Sequence, residues 1–166
     1  MIRIERLFIL LAALLALTGC ATTPAMDTRG VNYSLTPVLA ASDMQAARGT
    51  WVQWGGMIVS SRNLAHATQL IILASPPDSS GEPKPDAGPL GRFVALWSGY
   101  LETVDYAPGR WVTVVGTVSG THAGSVGQAS YLYPVVDANQ LHLWPKRWER
   151  NTGSSVNFGV GVFISN

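Results

Sequence analysis

Cys20 is the single cysteine of the 166-residue chain, and a thiolate can be acylated, oxidised, bridged or bound to a metal. A disulfide within the chain is excluded by the count alone. A metal centre needs three or four convergent ligands. His66, His122 and His142 lie far apart, none with a second His or Cys at ligand spacing, so no metal is expected. The hydroxyls of Ser79-Ser80 and Ser154-Ser155 sit in no Gly-x-Ser-x-Gly elbow and beside no histidine, and read as turn residues. Glu102 and Asp105 flank a turn rather than forming an acid/base pair. No catalytic residue is assigned and no dissociable cofactor is expected.

What surrounds Cys20 gives its thiol a use. Met1 to Arg6 carry two arginines, Leu7 to Leu17 are continuously apolar, and Thr18-Gly19 are small. This is the layout of an export signal. Eleven apolar residues as a helix rise only about 16 Å, half of the ~30 Å hydrocarbon core, too short to span it. The tetrapeptide Leu17-Thr18-Gly19-Cys20 resembles the lipobox of bacterial lipoproteins. That resemblance implies cleavage after Gly19 and a diacylglyceryl and an N-acyl group on Cys20. Two or three acyl chains anchor far more firmly than one. Ala21 in place of Asp after the cysteine implies passage to the outer membrane, facing the periplasm.

Removing residues 1–19 takes Arg3, Arg6 and Glu5 from the 11 basic and 10 acidic residues, leaving nine of each. A neutral chain lacks the basic excess that phosphate neutralisation requires, so no nucleic-acid partner is expected. Six tryptophans and five tyrosines are the richer signal. On strands they fill a core and bring an indole or phenol group to its rim, or on an open face they make stacking platforms for rings. Trp54, Tyr131 and Tyr133, with Arg92 and Arg110, form the candidate binding surface.

The elements that must position these residues follow from periodicity. Residues 20–35 are small and polar, a flexible tether. Thr36-Pro37 opens and Gly49 closes one short helix, with Val38, Leu39, Ala41, Met44 and Ala47 as its apolar face. From there the period is two, giving strands at about 51–60, 67–74, 92–100, 111–119, 129–136 and 140–144. Gly55-Gly56 and Gly116 allow a sharp curl, and Pro134 marks an edge or a bulge. The Pro-rich stretch 75–90 reads as an exposed loop. Residues 156–164 alternate Val156, Phe158, Val160, Val162 and Ile164 with Asn157, Gly159, Gly161 and Phe163, a strand that closes the barrel or recruits a second chain. The expectation is an all-β, small curled OB-like barrel over 36–166 with one N-terminal helix, and a β-sandwich as the alternative.

The segments Trp54-Gly55-Gly56-Met57-Ile58, Asp78-Ser79-Ser80-Gly81, Gly91-Arg92-Phe93, Tyr106-Ala107-Pro108-Gly109-Arg110, Val112 through Gly120 and Tyr131-Leu132-Tyr133-Pro134-Val135-Val136 give, in this order and spacing, a chain that resembles the Slp family of starvation-inducible outer-membrane lipoproteins. The resemblance runs from the lipobox to Leu143-Trp144-Pro145. It implies an envelope lipoprotein of starvation or stress, without enzymatic activity and with a structural or binding role toward an envelope protein or glycan. The alternative is a glycan- or ligand-binding module or hydrolase on the same barrel.

Overall fold

The computed structural model describes residues 26–146. Five strands, β1 (Trp51–Asn63), β2 (Ala67–Ala74), β3 (Arg92–Ser98), β4 (Trp111–Val126) and β5 (Ala129–Leu143), close into a barrel in the order β1-β2-β3-β5-β4. Every neighbouring pair is antiparallel except β3–β5, which is parallel. This is an OB-like barrel and not a sandwich. Alternate residues point inward: Val52, Trp54 and Ile58 from β1, Leu70 and Ile72 from β2, Phe93 and Ala95 from β3, and Val112, Val114, Val118 and Val136 from β4 and β5, all buried.

Closure needs backbones to approach closely, and glycine permits it. A Cβ at Gly56 would overlap the Leu73 carbonyl oxygen across the β1–β2 ladder, and one at Gly116 would overlap the Asp137 carbonyl oxygen. The bulge in β1 lies further on, at Ile58/Ser60.

Five expectations change. The helix is two pieces, α1 (Pro37–Ser42) and α2 (Met44–Ala47). Asp43 leaves helical geometry, its N–H donating to Leu39 O while its carboxylate accepts from Ala46 N. The buried face is Pro37, Ala40 and Ala47, whereas Val38 and Leu39, expected inside, are 53% and 52% exposed. The chain from 26 to 35, read as tether, lies against the barrel: Asp27 N donates to Gln140 Oε1 at 2.8 Å and Asn32 N to Trp51 O at 2.8 Å.

The loop 75–90 is not freely exposed either. Gly81 and Pro83 are buried, and Thr113 Oγ1 donates to Gly81 O at 2.7 Å while accepting from Trp144 Nε1 at 2.9 Å. The two expected strands at 129–136 and 140–144 are one, β5, and Pro134 stands opposite Thr121 just past a register shift at Val118/Gly120. Pairing with β3 starts only at Val135, so on that side the missing N–H of the proline costs no ladder bond. The segment 156–164 lies outside the described residues; the closing role expected of it is filled by the β1–β4 and β3–β5 pairings.

Both ends of the barrel are covered. Ala40 and Ala47, with Leu35, Met44 and Leu90, pack where β1 begins, while Leu101 and Tyr106 of the β3–β4 connection pack where it finishes. Thr68, fully buried, ties that connection down: its hydroxyl lies 2.6 Å from Asn63 Oδ1 and 3.0 Å from Gly99 O and accepts from Leu101 N at 2.9 Å.

Candidate functional site

β3 is apolar on both faces. Phe93 and Ala95 point inward, yet Val94 on the opposite face is only 1% exposed, so something covers the outside of the barrel there. The cover is the distal half of the β4–β5 hairpin. Beyond Gly120 these strands pair only with each other, and this arm brings Tyr133 and Tyr131 against Val94, Val135, Ile71 and Leu96 in a second apolar cluster. The two rings are 4.6 Å apart at their centroids. Tyr133 OH donates to Ser125 O at 2.8 Å, and Tyr131 OH accepts from Arg92 N at 3.0 Å.

The arm covers only part of this face. Across the rest runs an open cleft of about 380 Å³, walled by Ser119 through His122 on β4 at one side and by Arg62 and Leu64 at the other, over a floor of Gln69, Val94, Leu96 and Val135. That volume is in the ~300–1,000 Å³ range of small-ligand sites, and a mostly aliphatic floor with few polar groups is their usual lining. Arg62 donates to Gln69 Oε1 at 2.8 Å. No carboxylate lines the cleft among the described residues, and Arg62 forms no ion pair with any of them. Arg62 therefore presents an uncompensated guanidinium with unused donors.

The residues expected to form a binding surface separate into three places. Trp54 is core: it is 6% exposed, meets Phe93 edge to face at 5.2 Å and donates from Nε1 to Leu35 O at 2.7 Å. Arg110 braces a turn, donating to Asp105 O at 3.0 Å and Trp144 O at 3.1 Å. Tyr131, Tyr133 and the backbone of Arg92 do come together, as the cover of the β3 face. Cys20 lies outside the described residues.

His66 lies in the β1–β2 turn, His122 on the β4 wall of the cleft, and His142 on β5, its ring 4.3 Å from that of Trp144. No group of three His, Cys, Asp or Glu side chains converges among the described residues. Arg62, Leu64, Gln69 and Leu96 were not singled out by sequence reasoning. The signal for the face was there, in the unbroken apolar runs Leu70-Ile71-Ile72-Leu73 and Phe93-Val94-Ala95-Leu96-Trp97, which mark strands covered on both sides.

Comparison with known proteins gives concordant likenesses. The family model described as "Outer membrane lipoprotein Slp family" matches residues 17–160. The uncharacterized lipoprotein YeaY of Escherichia coli is 31% identical over 78% of this chain and 67% of its own. The outer membrane protein Slp of the same organism is 30% identical over 69% of this chain and 61% of its own. A solved structure, the small single-stranded DNA-binding protein from Streptomyces coelicolor, aligns with 57% of this chain and 94% of its own at 16% identity and a TM-score of 0.35; the fold is read from the strand order above and not from this alignment.

Proposed function

This chain belongs to the outer membrane lipoprotein Slp family, and from that premise we propose that it is a lipid-anchored, periplasm-facing protein with a non-enzymatic binding role in the envelope, exercised at the cleft over β3. The single observation that carries the binding role is this cleft, aliphatic in its floor and bordered by a cation without a carboxylate. Hydrolysis needs a nucleophile beside a base, or two carboxylates facing one bond. Ser119 Oγ donates to the carboxylate of Asp137, an exposed residue outside the lining, at 2.9 Å, so this hydroxyl is held by a surface acid and not by His122, and no pair of carboxylates lines the cleft among the described residues.

The anchor is assigned to Cys20 through the lipobox. Asp27 is held on β5 by Gln140, and it lies seven positions along the chain from Cys20. Seven residues reach at most about 25 Å, so an anchored barrel sits close to the bilayer surface. No helix among the described residues is long and apolar enough to cross a membrane.

Metabolic labelling with a palmitate analogue tests the anchor. The unaltered protein takes up label and fractionates with outer membrane, while Cys20→Ala takes up none and stays unprocessed or soluble. Label and outer-membrane fractionation persisting in Cys20→Ala would overturn the assignment. The association with starvation rests on the family resemblance, and protein abundance followed into stationary phase tests it.

A further inference from the structure

The cleft lining says more about the ligand than that one binds. Sugar rings and bases are held by stacking on exposed aromatics, and the lining holds no Trp, Tyr or Phe, its one ring being the His122 imidazole on the wall; Tyr133 is 2% exposed beneath the arm, and the Tyr131 hydroxyl is spent on Arg92 N. The floor is branched aliphatic instead. Leu96 continues into Leu64, which is 43% exposed at the rim, while Val94 and Val135 lie almost wholly buried beneath. A large aliphatic residue left open at the edge of an aliphatic floor suits a methylene chain, which has no polar atoms to satisfy along its length. At the same rim stands Arg62, planar, permanently charged, bonded in the structure to one neutral amide, and shaped for two parallel hydrogen bonds to a carboxylate or phosphate.

We propose that the cleft binds a single-chain anionic amphiphile, its acyl chain lying over Leu96 and Leu64 and its anionic head on Arg62. The proposal rests on the reading of the cleft as the working site and names its ligand. The shared chemistry, one acyl chain with a head of negative charge, is that of a free fatty acid or of a lysophospholipid.

The test uses the full mature chain from residue 20, unlipidated, so that its outcome is independent of the anchor. A fluorescent long-chain carboxylate, dansyl-undecanoate, is titrated and then displaced by dodecanoate, octanoate, dodecanol and lauroyl-lysophosphatidylglycerol. Saturable one-site binding is expected. Dodecanoate should displace better than octanoate, since each fully buried methylene contributes about fourfold, and better than dodecanol by about tenfold or more, the usual worth of a charge-assisted hydrogen bond. Arg62→Ala and Arg62→Glu, both at an exposed position, should remove the preference over dodecanol while leaving the melting temperature unchanged. The tighter of dodecanoate and the lysophospholipid names the source.

Absence of saturable binding by the folded chain overturns the ligand class. Probe binding that is indifferent to Arg62 and is abolished by neither variant overturns the site, and with it the reading of the cleft. Displacement by an anionic oligosaccharide as effective as that by dodecanoate assigns the cleft to a glycan and overturns the proposal.

Discussion

Thr68 shows how much one buried hydroxyl decides. Its oxygen accepts from Leu101 N, and its single proton serves either Asn63 Oδ1 or Gly99 O, so the β3–β4 connection is joined to β1 and β2 through one atom. Thr68→Val keeps the shape and removes the acceptor of Leu101 N and the donor to Asn63 or Gly99 at a fully buried position, at a cost of about 1–3 kcal/mol, measurable by urea denaturation. A change below about 0.5 kcal/mol, the level of ordinary surface substitutions, would show that the connection is held otherwise. Asp27 behaves differently because it is at the surface. The Arg29 side chain and then its backbone N–H hydrogen-bond the Asp27 carboxylate and lower its pKa from 3.8 to about 2. A lowered value in the folded chain stabilises it above the ordinary value near 3.8, and that contribution is lost as pH falls through about 2. A carboxyl NMR titration should place the Asp27 midpoint near 2 and Arg29→Ala should return it toward 3.8; a midpoint already at the ordinary value would show the pair unformed in solution. Solvent screening keeps the effect of this exposed pair on stability small.

At the scale of elements, the barrel depends on positions where no side chain fits. Gly56→Ala drives a methyl group into the Leu73 carbonyl, and the backbone must shift because no flexible side chain is there to yield. The expected loss is about 2–4 kcal/mol in chemical denaturation. Retention of full stability would mean that the β1–β2 ladder loosens there without penalty. The β4–β5 arm is the opposite case. Its outer residues Thr121 to Ser125 are exposed and include no Asp, Glu, Lys or Arg, and what fixes it is the pair of tyrosines folded onto β3. The same arm walls the cleft, so its packing sets how wide the cleft is.

For the whole molecule, each strand of the barrel already has two neighbours within residues 51–143. Removal of residues 147–166 should leave the urea midpoint within the equivalent of about 0.5 kcal/mol. Light-scattering mass measured beside it tests self-association through 156–164: loss of an oligomer at unchanged stability assigns the segment to contacts between chains. A truncated chain that no longer unfolds cooperatively would show that the tail belongs to the fold.

What the sequence by itself determined is whatever depends on local covalent order. The balance of charge over residues 20–166 and the positions of β2 and most of β1 could be read directly, because composition, hydrophobic runs and period-two alternation are properties of the residues in order. The all-β class and the curl follow in the same way from strand patterns interrupted by glycine. Only the tertiary structure decided the rest. Asp43 divides the helix because its carboxylate caps the second half, which helical periodicity does not register. Trp54 is core and Tyr133 is cover although both are aromatic residues on strands, since burial depends on which face of the sheet a neighbouring strand or arm happens to occupy. Arg62 and Leu96 lie 34 positions apart in the chain and line one cleft because β2 pairs with both their strands, setting Gln69 opposite each of them. Register across a closed sheet is a long-range property, and no window along the chain contains it.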